Sequence, residues 1–282
     1  MHWQQLWIVV VVFLAAAAVA ILLRSPRNDR NWIDALSRPP QFTPVEQQWE
    51  IRNFRASVFD ENGVVNQKWR DERIDPERLH EIWFFVEPFE SWDGAAHTLL
   101  SFRFDGQTPK TISVSVEARR EVGEKYSGLK GALNKFELIY IWSTEEDILT
   151  RIAINLDHPI YAYKLNVTPE QGQAILAHFI ERSNSLRERP RFYNTFFSNC
   201  TNELAKAVNS AFPGALPWHP SHILTGRSAE RLHSLGFITP ESAGFSEIKA
   251  RAEIKDRIQS ARASTGEEFA NAWRVGVEIA AR

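Results

Sequence analysis

The chain has 282 residues, of which 44% are hydrophobic and 24% are charged, and these values are ordinary for a globular protein. They exclude collagen-like, low-complexity and wholly disordered chains. A formal net charge of −2 offers no basic surface for nucleic acid, and a mean hydropathy of −0.32 excludes a protein with many membrane spans. The single cysteine, Cys200, excludes an intrachain disulfide and a cysteine-based metal site, and we expect no cofactor and no metal.

An unbroken apolar run of eighteen residues, 6–23, lies near the amino terminus. Its length nearly spans a hydrocarbon core of about 30 Å, so we predict one uncleaved transmembrane anchor over residues 1–24. A cleaved signal peptide is the alternative, since Ala18-Val19-Ala20 fits a peptidase site, but no Lys or Arg precedes the run. By the positive-inside rule, the arginines that follow predict a cytoplasmic domain: Arg24, Arg27 and Arg30.

Strand patterns dominate the chain beyond a polar, proline-interrupted stretch at residues 25–48, which we interpret as a linker or lead-in. A folded domain is predicted over residues 49–282. Asn62-Gly63 is typical of a hairpin turn, and Asp105-Gly106 predicts a second hairpin between two apolar segments. Further strands are predicted at residues 82–86, 136–142 and 160–167.

Helix signals follow the strands. Thr168 and Gln171 have the spacing of a capping box, which predicts a helix that ends before Pro190. A second helix is predicted to begin near Asn199, and shorter helical stretches follow from about Ser221. Because strands come first and helices later, the fold class predicted is α+β rather than alternating βαβ.

Cys200 is the strongest candidate for chemistry, because the common phosphate-loop, dinucleotide, nucleophile-elbow and zinc-protease motifs are absent from the sequence. A cysteine at a helix start has a stabilised thiolate and is a good nucleophile when a histidine is within reach. His97 is the most suggestive histidine, because it opens a strand after a turn of small residues. The alternative is that Cys200 is a small buried apolar residue and that His97 is structural. His219 and His222 are interpreted as a loop pair without further ligands.

Several blocks in a fixed order make the chain recognisable: HTLLSFRF at 97–104, SVEARREVGEKYS at 115–127 and FYNTFFSNCT at 192–201. Over about Trp49 to Phe212 the chain resembles the bacterial family of membrane-tethered Lnb-type periplasmic domains, which is named for a lipoprotein N-acyltransferase. The resemblance implies a permuted papain-like, NlpC-type fold, similar to the lecithin–retinol acyltransferase group, with His97 as catalytic base and Cys200 as nucleophile. It also implies a domain on the periplasmic side of the bacterial inner membrane, against the orientation that the three arginines predict.

The expected function is therefore a membrane-anchored, cysteine-dependent acyltransferase. Cys200 would take an acyl chain from a membrane phospholipid as a thioester and pass it to an amine, such as the N-terminus of a lipoprotein. The Cys200 backbone N–H, with Asn194 or Asn199, would form the oxyanion hole, although a turn or cap is the alternative role for either asparagine. Glu117 would orient His97 if the hairpin register pairs the two, and a shift of one residue would place it on the other face.

Two other functions fit the same residues. One is an NlpC-type cysteine peptidase or amidase that acts on cell-wall peptide, and the other is a non-catalytic envelope scaffold. A wide apolar groove around Cys200 would favour acyl chains, whereas a narrow polar cleft would favour peptides. Phe196, Phe197 and Trp218, close to the nucleophile in sequence, favour the first. The sequence does not identify partner proteins.

Overall fold

A computed structural model describes residues 3–89, 94–239 and 243–277, without the side chains of residue 4 and residues 14–22. The chain begins with helix α1 (Trp3–Leu22). Within the described residues, no helix has both the length and the apolar character needed to cross a membrane. The anchor at residues 1–24 therefore stays a prediction.

The centre of the domain is an eight-stranded, mainly antiparallel sheet. A separate hairpin of two short strands lies outside it. The sheet order is β1-β2-β9-β8-β7-β6-β10, with β5 also paired to β2, and the β2–β9 pair is parallel. The strands are β1 (Gln41–Val45), β2 (Gln48–Arg55), β3 (Val58–Asp60), β4 (Gly63–Asn66), β5 (Trp69–Ile74), β6 (Leu79–Pro88), β7 (Ala96–Phe104), β8 (Lys110–Arg119), β9 (Glu137–Thr144) and β10 (Tyr161–Lys164).

Helices cover both faces of the sheet. They are α2 (Gly128–Ala132), α3 (Glu145–Thr150), α4 (Pro169–Glu188), α5 (Cys200–Ala211), α6 (Ser228–Ser234), α7 (Phe245–Ala252), α8 (Lys255–Ala261) and α9 (Gly266–Arg274). A π-helical turn, Arg151–Asn155, continues α3, and short 3₁₀ turns lie at Asp34–Leu36, Pro76–Arg78, Pro220–His222 and Thr225–Arg227.

Alternation along the strands explains the two cores. In β6, Phe84 and Val86 face α4 and α5, whereas Trp83 and Phe85 face α3, α8 and α9. Successive strand side chains point to opposite faces, so a strand covered on both sides becomes continuously apolar. The apolar run that the sequence contains at residues 82–86 is therefore a central strand buried on both faces.

Most predicted elements are confirmed within a few residues. The capping box of α4 is present, and α4 ends at Glu188, before Pro190. The hairpin near Asn62 forms as well, but Asp60 pairs with Gly63, so its two turn residues are Glu61 and Asn62. The Asp60 carboxylate accepts the backbone N–H groups of both Asn62 and Gly63, which favours this tighter turn.

The lead-in at residues 25–48 contributes to the folded domain. Trp32 and Leu36 are buried, and β1 pairs along its whole length with β2. Residues from about Arg27 onward thus contact the domain that the sequence placed from Trp49. The structure is a mixed α+β fold, as predicted, and its finer assignment as a permuted papain-like fold stays a prediction.

Candidate active site

Cys200 is the first residue of α5, and Asn199 caps that helix. The Asn199 side-chain oxygen accepts the N–H of Asn202 at 2.8 Å. Only 4% of the cysteine is exposed, and its sulfur lies 3.9 Å from the carbonyl oxygen of Ala96 on β7. The first N–H groups of a helix have no partner within the helix and carry partial positive charge, so this position favours a thiolate over a thiol.

A buried carboxylate fixes the first turn of α5 against its surroundings. Glu203 accepts hydrogen bonds from the Tyr140 hydroxyl of β9 at 2.6 Å and from the Ser198 hydroxyl at 2.8 Å. It also pairs with Arg182 of α4 and with Lys206. Burial raises the pKa of Glu203, but these partners outweigh that effect and hold the pKa at about 2. The carboxylate therefore stays charged and ties α5 to the sheet, to α4 and to the loop before the nucleophile.

His97 stands near the start of β7, and the β7–β8 register selects its neighbour. Leu99 pairs with Ser115, and continuing this antiparallel register places His97 opposite Glu117. The His97 Nε2 atom lies 2.7 Å from the Ser115 hydroxyl and 3.4 Å from Glu117 Oε1. Ser115 in turn donates to Glu117 Oε1 at 2.7 Å. One carboxylate thus orients the imidazole both directly and through a serine, which leaves Nδ1 as the ring nitrogen available to the sulfur.

Direct interaction between Cys200 and His97 appears in the pKa of both groups. Burial raises the pKa of the Cys200 thiol, but a hydrogen bond from His97 and its positive charge outweigh burial and hold that pKa below its usual range. Burial lowers the pKa of His97, yet the charge of Glu117 and the bond to Cys200 raise it well above its usual value. Both shifts act in the same direction, since they favour a thiolate at Cys200 and an imidazolium at His97 over a neutral thiol and a neutral imidazole.

Glu117 carries the third charge of the site. Burial raises its pKa, but the charge of His97, their hydrogen bond and the charge of Arg151 hold that pKa far below its usual range. A carboxylate that stays ionised keeps the imidazole protonated. Alternating negative, positive and negative charges along Cys200, His97 and Glu117 stabilise one another in a setting with little water.

The two predicted oxyanion asparagines hold the loop before Cys200. The Asn199 amide donates to the carbonyl oxygens of Thr195 and His222, at 2.8 and 2.7 Å. The Asn194 amide donates to Ala132, and its side-chain oxygen accepts the N–H groups of residues 196 and 197. Both side chains have the turn and cap roles that the sequence offered as the alternative.

Sequence reasoning missed Ser115 and Tyr193. Ser115 lies two residues before Glu117 on one strand face, a position that would identify it once Glu117 had been chosen. Tyr193 is buried, and its hydroxyl lies 3.3 Å from that of Tyr126. Burial is the main cause that raises the pKa of Tyr193, and the negative charge of Cys200 adds to it. The Tyr193 hydroxyl therefore stays protonated in the wall of the cavity that Cys200 also lines, and no short-range pattern marks it.

A cavity of about 580 Å³ opens onto Cys200 and His97. Its wall is mainly apolar, with contributions from Phe89, Ala95, Ala96, Val116, Ala118, Tyr126, Leu156, Tyr193, Phe196, Ile223 and Leu224. Arg120 and Arg151 add positive charge. A second imidazole–carboxylate pair lines the same wall, in which His158 Nδ1 lies 2.6 Å from Glu87 Oε1. The volume and the lining suit a small ligand with an apolar body and a polar or charged end.

The other histidine pair has a structural role in the described residues. His219 caps the 3₁₀ turn at Pro220–His222 through Ser221, and the carbonyl oxygen of His222 accepts the amides of Asn199 and Asn202. Among residues 3–89, 94–239 and 243–277, no three or more His, Cys, Asp or Glu side chains form a group that could hold a metal ion.

Comparison with known protein families identifies the family of this chain. The family model described as the Lnb N-terminal periplasmic domain matches residues 66–226, which include His97, Ser115, Glu117 and Cys200. No curated protein and no solved structure matches the chain. Because the match covers more than half of the sequence, the chain belongs to the Lnb N-terminal periplasmic domain family.

Proposed function

We propose that this protein is a cysteine-dependent acyltransferase that moves an acyl chain from a phospholipid to an amine through a thioester on Cys200. One observation carries the proposal: three groups whose charges alternate in sign, Cys200, His97 and Glu117, lie in the wall of a large, mainly apolar cavity. A charged nucleophile would be costly in such a wall without its partner charges. The site thus combines an activated sulfur with room for a hydrocarbon chain.

In the first half-reaction, the Cys200 thiolate attacks the ester carbonyl and forms a tetrahedral intermediate. As the carbon–oxygen bond breaks, the imidazolium of His97 gives its proton to the departing alcohol of the lysophospholipid, and a thioester remains. Glu117 holds the ring through Ser115 during this transfer. We assign stabilisation of the oxyanion to the Cys200 N–H, at the start of α5, and to the Tyr193 hydroxyl, which lines the same cavity. Loss of one such donor typically costs about 3 to 4 kcal/mol.

In the second half-reaction, the neutral imidazole of His97 accepts a proton from the incoming amine as that amine attacks the thioester. The carbon–sulfur bond breaks, and the amide product and the thiolate–imidazolium pair are formed. The N-terminal amine of a lipoprotein is the acceptor proposed. With water as acceptor, the same residues would act as a lipid hydrolase, and with a peptide donor they would act as the NlpC-type peptidase or amidase.

We also propose that the domain works at the periplasmic face of the bacterial inner membrane, held there by residues 1–24. The family is one of periplasmic domains, which supports the side of the membrane. The apolar side chains of residues 6–13 in α1 are exposed, which supports an association with lipid. Both substrates of the proposed reaction would be present at that surface.

The test is recovery of the acyl-enzyme. Full-length protein is incubated with vesicles whose phospholipid is labelled in the acyl chain and is then denatured and digested. We expect a label on the Cys200 peptide that neutral hydroxylamine removes, its loss in Cys200→Ala, and its release when a diacylglyceryl-cysteine peptide is added. Label that leaves as free fatty acid at the same rate with or without the peptide would indicate a hydrolase. Absence of label, together with cleavage of a cell-wall peptide, would favour the peptidase.

A further inference from the structure

Five exposed apolar side chains lie on the two chain segments, around residues 126–133 and 196–197, that also contribute to the cavity wall, and we call this set the rim surface: Tyr126, Leu129, Leu133, Phe196 and Phe197. Leu129 is 72% exposed and Phe197 is 74% exposed, although both are large hydrophobic residues. Tyr126 and Phe196 also line the cavity. The rim surface is thus continuous with the space that leads to Cys200.

The rim surface consists of two chain segments that are bonded to each other. The Thr195 hydroxyl donates to the carbonyl oxygen of Gly128 at 2.7 Å, and the Asn194 amide donates to that of Ala132 at 3.1 Å. Gly131 permits this close approach, because a Cβ atom there would lie 2.5 Å from the Thr195 hydroxyl. The exposed apolar side chains are therefore presented from a fixed backbone.

Positive charge accompanies the rim surface. Lys125 and Lys130 are exposed, and no carboxylate among the described residues pairs with either of them. The nearby acidic residues are already engaged, because Glu121 pairs with Arg30 and Glu124 pairs with Lys135. Aromatic and aliphatic side chains beside lysines are the composition of protein surfaces that lie at the headgroup level of anionic membranes.

The chain that follows α1 first contacts the domain at Arg27 and Asn28, which bond to Glu137 and to the end of α4, and it then reaches the segment that leads to α2. The N–H of Val122 donates to the carbonyl oxygen of Asn31 at 2.9 Å, so the incoming chain pairs with the segment that leads to α2. Leu22, the last residue of α1, and Asn31 are nine positions apart, which a fully extended chain covers in at most about 32 Å. Nine chain positions therefore connect α1 to Asn31, which pairs with the segment that continues to Tyr126 and Leu129.

We propose that the rim surface docks on an anionic phospholipid bilayer, and that the donor chain enters the Cys200 cavity directly from the leaflet. The docking is inferred from the exposed apolar side chains and the lysines alone, whereas the entry of the donor chain rests on the proposed acyltransferase function. Phe197 and Leu129 enter the interface, and Lys125 and Lys130 lie among the phosphate groups.

The experiment measures depth of insertion in the full chain. An environment-sensitive dye is attached to single cysteines, Leu129→Cys or Phe197→Cys, in a Cys200→Ala background, with Val65→Cys as matched control. Val65 is 62% exposed but lies on β4, in the separate two-stranded sheet. In vesicles that contain phosphatidylglycerol with brominated acyl chains, we expect strong quenching at positions 129 and 197 and little at 65. Replacing phosphatidylglycerol with phosphatidylcholine, or adding salt, should weaken the quenching.

Equal quenching at the three positions would overturn the docking proposal. A dye signal that depends on protein concentration and not on lipid bromination would overturn it too, and would indicate a second copy on the rim surface. In the active protein, the double variant Leu129→Glu, Phe197→Glu should lower acyl transfer from vesicles by at least about tenfold and leave Cys200 alkylation unchanged. Quenching as expected without any acyl transfer by the wild type would leave docking intact and refute the proposed function.

Discussion

Removal of the Glu117 charge should make Cys200 a weaker nucleophile, although Glu117 acts on the sulfur only through the imidazole of His97. The His97 Nε2 and Glu117 Oε1 atoms are 3.4 Å apart. Coulomb's law at an effective dielectric constant of about 20 gives about 5 kcal/mol for that separation, as an upper limit. Measured effects of one opposite charge at such distances are about 1.4 to 4 kcal/mol, and the positive charge of Arg151 reduces the net value here. We therefore expect Glu117→Gln to disfavour the thiolate–imidazolium pair by about 2 kcal/mol, which is roughly a thirtyfold change in its equilibrium constant.

The pH dependence of Cys200 reactivity tests the same effect of Glu117. The ion pair exists above the lowered pKa of Cys200 and below the raised pKa of His97. Without the Glu117 charge the His97 pKa falls, so the alkaline limit of this window should move to lower pH. The acid limit, at which Cys200 ionises beside the imidazolium, should not rise, because the lost charge was negative. The assay is the rate of alkylation by iodoacetamide across the pH range, with turnover measured in parallel. Glu124→Gln, which removes a carboxylate that pairs with Lys135, is the control. A rate and a pH profile for Glu117→Gln that match those of the wild type would refute the reasoning.

Other perturbations test the remaining contacts. His97→Ala should slow alkylation of the nucleophile near neutral pH, and labelling that occurs only under denaturant, at one rate in both proteins, would indicate a buried structural cysteine. Ser115→Ala should slow alkylation of Cys200 by less than about tenfold, because the direct contact between the His97 imidazole and the Glu117 carboxylate remains. An unchanged alkylation rate would mean that the serine does not orient the ring. Gly131→Ala should cost about 1 to 3 kcal/mol in denaturant unfolding, whereas Gly128→Ala, with open space around it, should cost much less. A reporter that is active only outside the cytoplasm, fused after Arg282, should be active, and activity of a cytoplasmic reporter alone would contradict the periplasmic assignment.

Local patterns predicted the elements that local energetics determine. The α4 capping box and the Asn199 cap lie within four residues of the helices they start, so their signals survive in a linear sequence. The segment from Glu145 to Asn155 was not recognised as helical. A local start signal is present, because the Thr144 side chain accepts the N–H of Asp147 and three acidic residues fill the first turn. The segment is nevertheless short, it follows directly from β9, and its apolar residues are buried in the second core, so packing adds what the local signal lacks.

The candidate site was predictable only in part, for a related reason. A helix-start cysteine and a strand-start histidine are visible locally, but the position of Glu117 depends on the β7–β8 register, which one residue in the turn would change. Tyr193 and Arg151 approach the site from segments that are far apart along the chain. Their positions result from the packing of whole elements on the sheet, which no short-range pattern encodes.

The buried Glu203 has a consequence for how the protein can move. A helix that is bonded through one carboxylate to β9, to α4 and to the preceding loop cannot slide or rotate without breaking several charged hydrogen bonds at once. Cys200 at the start of this helix is therefore held in one position. Any motion that lets a ligand enter or leave has to occur elsewhere along the wall of the cavity. In a catalytic cycle at this site, the slow steps would then be the binding of substrate and the release of product, while the Cys200 sulfur keeps its position throughout.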